Sequence, residues 1–279
     1  MPELAEVEHA RRILEEVCVG ARIERIECDA DDIVLEDRAA LLALAGRDVR
    51  QARRHGKYLW LVLDRGPHPI FHLGMTGAFR RRGDEPLKLA SSAKEVDRAW
   101  PPRFTKVHLF LTRGGAEPSE LVYLNKRRLG RVLLRDAPET EAPIGELGFD
   151  PWTEMPSLSR FRELLARRRG VLKGLLLDQR FAAGVGNWVA DEVLFQSGIA
   201  PRRRVDSLSP EEIERMHASL RDIVRLAVEA DARADRFPPD WLFHRRWGKD
   251  PNATTADGHP IEHIQVAGRT TAWVPTKQG

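Results

Sequence analysis

Along the first eighteen residues, apolar positions recur at helical spacing. Leu4, Val7, Leu14 and Val17 share one face, and Glu3, Glu6 and Glu8 gather near the start, where the helix dipole favours acids. The pattern predicts a helix over 3–18, with Pro2 just ahead of it. From about 22 to 135 the rhythm changes to short apolar runs at 58–63, 107–111, 121–124 and 132–134. Turn signals such as Asp64-Arg65-Gly66-Pro67 and Arg113-Gly114-Gly115 separate them, so an antiparallel sandwich or barrel is expected. Residues 136–157 carry Pro138, Pro143, Pro151 and Pro156 with few periodic apolar positions, and read as an interdomain linker.

Beyond the linker the period is helical again, at about 158–168, 171–178, 187–196 and 209–230. The last stretch opens with Ser209-Pro210-Glu211-Glu212, a serine cap with its capping-box glutamate. Two short strands around Ala267-Gly268-Arg269 are expected within 259–275. The fold class is therefore α+β. A β-sandwich flanked by helices fills 1–135, a linker 136–157, a helical domain 158–240 and a hairpin finger 241–279.

Composition narrows the picture. A chain of 279 residues with 42% hydrophobic and 31% charged residues reads as soluble and globular, large enough for two domains. No run nears the roughly 20 apolar residues of a membrane span, and the acidic start does not read as a secretory signal. A net charge of +3 is too small to argue for nucleic acid. The clusters Lys126-Arg127-Arg128 with Arg131, Arg167-Arg168-Arg169 and Arg202-Arg203-Arg204 say more, although each alone also suits a solvated face. Cys18 and Cys28 are the only cysteines. They exclude a disulfide framework and a four-cysteine zinc site, suggest a reducing compartment, and read as buried small side chains.

Chemistry first shows at Met1-Pro2-Glu3. Removal of Met1 would leave a secondary amine whose pKa, near 8, makes it a better nucleophile at neutral pH than a lysine. Attack on an aldehyde-like carbon gives an iminium that cannot lose its charge and so acts as an electron sink. Glu3 could protonate a sugar ring oxygen beside it. By itself Pro-Glu near a start is more often a plain helix opening.

Pro2-Glu3-Leu4-Ala5-Glu6-Val7-Glu8 resembles the N-terminal signature of the formamidopyrimidine-DNA glycosylase and endonuclease VIII family, with Ala5 where that family has proline. The resemblance implies Pro2 as nucleophile and Glu3 as acid/base. His55-Gly56-Lys57-Tyr58-Leu59 looks like the segment whose lysine, here Lys57, binds phosphate near the lesion. His72-Leu73-Gly74-Met75-Thr76-Gly77 is similar to the loop whose methionine, here Met75, fills the gap left by an everted nucleotide, its glycines letting backbone approach DNA. Tyr123 to Gly130 resembles a second intercalating loop, which assigns Arg127 to the orphaned base and Leu129 to the wedge. Asn125-Lys126 and Leu129 depart from the bacterial pattern there.

Leu172-Lys173-Gly174 through Gly184-Val185-Gly186-Asn187-Trp188 to Glu192 resembles the family's helix-two-turn-helix. Lys173 and Asn187 are then DNA-binding, with Asn187 able to cap its helix and touch phosphate. At the C-terminus no cysteine occurs, and Asp257-Gly258-His259 to Pro275 resembles the zincless finger of plant and fungal members, with Arg269 at its tip gripping phosphates. His259 and His263 fall on one face if both lie on a strand, so no metal is expected.

The resemblance spans nearly the whole chain. It implies a bifunctional glycosylase and abasic-site lyase of base excision repair, acting by β,δ-elimination on double-stranded DNA with oxidised bases or abasic sites. A monomer needing no cofactor is expected, in the cytoplasm or nucleoid of a bacterium or the nucleus of a eukaryote. The alternatives are a lyase for abasic sites or bulky adducts with little oxidised-base excision, and a non-catalytic nucleic-acid-binding protein. The resemblance also implies a loop ahead of the finger that covers an everted 8-oxoguanine. Residues 230–251 look too short for that loop and read as packed connection.

Overall fold

The computed structural model describes residues 2–84, 99–248 and 250–279, which form two compact units divided between Glu146 and Leu147. The first opens with α1 (Leu4–Cys18). Its expected apolar face is the one it buries: Leu4, Val7, Leu14 and Val17 are each 6% exposed or less. After β1 (Arg22–Cys28) and the short α2 (Arg38–Leu42) come β2 (Val49–His55), β3 (Tyr58–Leu63), β4 (His68–His72) and β5 (Gly77–Arg81), then β6 (Thr105–Thr112), β7 (Ser119–Asn125) and β8 (Arg131–Arg135). They pair antiparallel as two four-stranded sheets, β1-β6-β7-β5 and β2-β3-β4-β8. One apolar core joins α1 to both sheets, through Leu14, Ile23, Leu59, Leu61, Phe71, Leu109, Leu121 and Tyr123 among others.

Strand β2 has no clean alternation in its sequence because a buried position is Arg54, 8% exposed, whose charge is met by Glu8 of α1 (Nε–Oε2 3.0 Å). Cys18 is buried as expected, whereas Cys28, at the end of β1, is only partly covered.

The expected linker, 136–157, is packed on each side of the division between Glu146 and Leu147. In the first unit Ile144 packs with Trp60 and Ile70. In the second, Phe149 bridges Ala182 and Asp150 is fully buried. The prolines broke the periodicity without removing the packing.

The second unit holds α3 (Leu158–Ala166), α4 (Leu172–Leu177), α5 (Asn187–Ser197) and α6 (Pro210–Glu229), followed by the hairpin β9 (Glu262–Val266) and β10 (Arg269–Trp273). Ser209 caps α6 with the expected box, its N–H donating to Glu212 Oε2 at 2.7 Å. Between α6 and the hairpin, Phe237, Trp241 and Phe243 are each 5% exposed or less and pack against Trp188 of α5. No helix among the described residues is long and apolar enough to cross a membrane.

Candidate active site

Pro2 and Glu3 lie buried at the mouth of α1. Glu3 is the N-cap, and it forms a reciprocal capping box with Glu6: the Glu6 carboxylate accepts the Glu3 N–H at 3.0 Å, and that of Glu3 accepts the Glu6 N–H. Burial, and then the neighbouring Glu3 carboxylate, push the Glu6 carboxyl up to about 7. One turn beyond, Glu8 receives Arg54, whose Nη1 also donates to Gly56 O at 3.1 Å. That pair ties α1 to the β2–β3 turn carrying Lys57, itself only 9% exposed.

From Lys57 the connection continues into the first loop. Burial, with the charges of Lys57 and Arg131, pushes His72 down to about 4, so its imidazole is neutral near pH 7 and Nδ1 accepts the Gly74 N–H at 3.3 Å. Tyr58 packs on the same ring, with centroids 4.7 Å apart.

The loops of Met75 and of Arg127–Leu129 are one construction. Asn125, fully buried, donates to Leu73 O (3.2 Å) and the Tyr123 hydroxyl (2.8 Å), and its Oδ1 accepts Leu129 N (3.1 Å) and Gly130 N (3.3 Å). Arg127 N donates to Thr76 Oγ1 at 3.3 Å. A Cβ on Gly74, whose φ is +61°, would lie 2.4 Å from the Leu129 carbonyl carbon, and one on Gly130 would lie 2.0 Å from Asn125 Nδ2. These glycines let the loops meet each other. Met75 and Leu129 are left 38% and 45% exposed, with Arg127 also at the surface.

Sequence reasoning missed what holds Arg128. Its φ is 54°, and its guanidinium grips Asp31, 3% exposed, through Nε and Nη2 at 2.9–3.1 Å. Lys106 Nζ reaches the same carboxylate at 2.8 Å. Although burial opposes ionisation, the hydrogen bonds from Arg128 and Lys106 win and hold the Asp31 carboxyl far below the carboxylate range. No local signal marks this acid, which lies 97 residues from Arg128.

In the second unit two expectations change. Lys173 is not on the surface: it is 0% exposed, its Nζ 2.5 Å from Asp191 Oδ1 and 2.5 Å from Thr271 Oγ1. Its partners, on α5 and β10, make it an interior anchor, where the resemblance implied a DNA ligand. Asn187 is the first residue of α5, with Gly186 as N-cap. Its Nδ2 donates to Thr270 O at 2.9 Å, and its buried Oδ1 has no hydrogen-bond partner.

Asp191, fully buried, is the centre of the hairpin's attachment. It accepts from Lys173, from Arg246 Nη2 (2.6 Å) and from Ala272 N (3.1 Å). Arg269 then projects, exposed, from the first position of β10 after a turn in which Ala267 and Gly268 both have positive φ, the two-residue form that suits a twisted hairpin. His259 lies outside β9 and bonds Thr276 Oγ1, while His263 bonds Arg246 O, so the two histidines have separate partners.

Residues 1–132 match the family model of the formamidopyrimidine-DNA glycosylase N-terminal domain, and residues 147–238 match that of the formamidopyrimidine-DNA glycosylase H2TH domain. The chain belongs to the formamidopyrimidine-DNA glycosylase family. The formamidopyrimidine-DNA glycosylase of Arabidopsis thaliana is 41% identical over 281 residues, covering all of this chain and 71% of its own length. That of Thermus thermophilus is 35% identical over 294 residues, covering 100% of this chain and 99% of its own. Among solved structures, MutM in complex with DNA containing carbocyclic 8-oxo-G superposes with a TM-score of 0.81 at 27% identity over the full length of both chains. The Lactococcus lactis glycosylase non-covalently bound to DNA with an abasic site gives 0.79 at 26%, covering 99% of each.

Proposed function

We infer that this family member is a bifunctional DNA glycosylase and abasic-site lyase of base excision repair, and that Pro2 is its nucleophile once Met1 is removed. The reading is carried by the Pro2-Glu3 pair, buried at the mouth of α1 and tied through Glu8 and Arg54 to the turn of Lys57. The Pro2 nitrogen attacks C1′, the C1′–base bond breaks, and the base leaves with a proton. Glu3 protonates the ring oxygen, so the sugar opens to an iminium ion. Loss of a C2′ proton expels the 3′ phosphate, a second elimination expels the 5′ phosphate, and water releases the enzyme.

Lys57, Asn187 and Arg269 hold phosphates in this scheme. Met75 fills the space of the everted nucleotide, Arg127 meets the base left opposite, and Leu129 is the wedge beside that base. Lys173 acts on DNA only indirectly, through the hairpin it anchors. The protein works as a monomer on double-stranded DNA, in whichever compartment holds the genome.

Borohydride reduction tests the mechanism. It should link the protein to abasic-site DNA through Pro2, because a secondary amine gives an iminium that cannot become a neutral imine. Pro2→Gly should weaken trapping, and Glu3→Gln should cripple base removal. Equal trapping by a chain with a blocked N-terminus, or by a form shown by intact mass to retain Met1, would sink the assignment.

A further inference from the structure

Phe104 has no role in the scheme above, yet its placement is unusual. It closes the turn into β6 and is 37% exposed, in a left-handed backbone conformation (φ 69°) that bulky L-residues rarely adopt. Its carbonyl accepts the N–H of Asn125 at 3.1 Å, which fixes it at the root of the Arg127–Leu129 loop. Two cations attend its ring: the Arg103 guanidinium carbon lies 4.9 Å from the centroid and Lys126 Nζ 5.4 Å. An aromatic face interleaved with basic side chains suits nucleic acid, the cations answering phosphate and the ring a base. Burial explains the choice of residue poorly, since over a third of Phe104 remains in contact with solvent.

We propose that Phe104 is the stacking platform for the unpaired base of the undamaged strand, a specificity-determining residue of the reaction inferred above. The proposal rests on that reading, because a base loses its partner only where the damaged nucleotide has left the duplex. Arg127 reaches that base by hydrogen bonds, and Leu129 fills space beside it. Leu129 has no π face, and Arg127 is engaged at the base edge through its N–H donors, so the stacking role falls to Phe104.

The test compares binding to two duplexes that carry the same tetrahydrofuran abasic analogue, opposite either cytosine or a second abasic analogue. Wild type should bind the cytosine duplex more tightly. Phe104→Ala should lower that preference about five-fold or more, the lower end of what base–aromatic stacking supplies, while Phe104→Tyr retains it. With 2-aminopurine opposite the analogue, Phe104→Ala should leave the probe brighter than wild type does. Phe104→Asn controls for folding: asparagine accepts a positive φ, so its thermal midpoint should equal or exceed that of wild type while the preference is still lost. An unchanged preference in Phe104→Ala, or equal losses on both duplexes, would overturn the proposal. Borohydride trapping of wild type in the same preparations separates the two readings: no trapping removes the proposed function, whereas trapping with an unchanged preference removes only the platform.

Discussion

At the scale of single residues, the consequential groups are acids whose partners lie far away in sequence. Asp31 holds Arg128 in its left-handed conformation and thereby fixes the chain on either side, where Arg127 and Leu129 project. Asp31→Asn should lower the preference for abasic over intact duplex about ten-fold, the size of one charge-assisted hydrogen bond. Binding to intact duplex should persist, since no cation is removed, and competition titrations of the two duplexes would check both statements. Glu6 and the fully buried Glu192 are acids of the opposite kind, each pushed up to about 7 chiefly by burial. Each holds its proton in the fold and loses it near the ordinary carboxylate range when unfolded. Their stabilisation is therefore complete below about pH 4.5 and declines as pH rises toward 7, by at most about 1.4 kcal/mol per pH unit for each group. Asp31, Glu36 and Glu120 are held low, so their contribution fails only as pH falls below the carboxylate range. The thermal midpoint should accordingly drop between pH 5 and 7, and Glu6→Gln should flatten part of that drop. A wild-type midpoint that climbs over this range would contradict the assignment.

Among the elements, the hairpin shows how a finger is held by charge. Asp191 receives two buried cations and the Ala272 backbone, joining α4, α5 and β10. Asp191→Asn would strand Lys173 and Arg246 without a full counter-charge, at a cost of about 3–5 kcal/mol. Melting should show that loss, and DNA binding should fall with it. By the same logic the protein should purify without stoichiometric zinc and keep its activity in strong chelator. One zinc per chain, lost together with DNA binding, would refute that expectation. Lys173 is also where the sequence misled. Its place in a helix-two-turn-helix pattern suggested phosphate, and the correcting signal was Asp191 on the next helix, with no apolar marker to make it stand out. The face of α1, by contrast, was legible because burial there needs only Leu4, Val7, Leu14 and Val17. Strand β2 was not, because Arg54 enters the interior only with Glu8 to meet it.

For the molecule as a whole, periodicity gave the change from sandwich to helices, and the ordered motifs gave the family. The tertiary joins were hidden: the stitching of the two loops by Asn125, the clamp on Arg128 and the aromatic packing of 237–243 each depend on residues distant in sequence. That last feature bears on substrate choice. Phe237, Trp241 and Phe243 are committed to a cluster with Trp188, so this stretch is poorly suited to fold over an everted base. Without such a cover, few new hydrogen bonds offset the few kcal/mol of unstacking an intact, planar base. Abasic sites and non-planar hydantoins avoid much of that cost and should be processed faster than 8-oxoguanine opposite cytosine. Single-turnover rates on matched duplexes decide the point, and equal rates for 8-oxoguanine and a hydantoin would show the inference from this segment to be wrong.

The loop that presents Met75 has a chemical consequence of its own. Burial pushes the Cys18 thiol up to about 12, leaving almost no thiolate for peroxide to attack, and the Asp191 clamp contains no sulfur at all. Among the described methionines Met216 is buried, and Met75 is the one most open to solvent. Oxidant would thus spare these buried groups and reach Met75, the proposed wedge, as well as the partly covered Cys28, turning the apolar methionine into a polar sulfoxide. Peroxide-treated protein should keep its thermal midpoint yet lose preference for damaged duplex. Methionine sulfoxide reductase should restore that preference, and Met75→Leu should resist the treatment. A protein that mends oxidised DNA would then carry, in the loop proposed to enter the damaged duplex, a reversible gauge of the same oxidants.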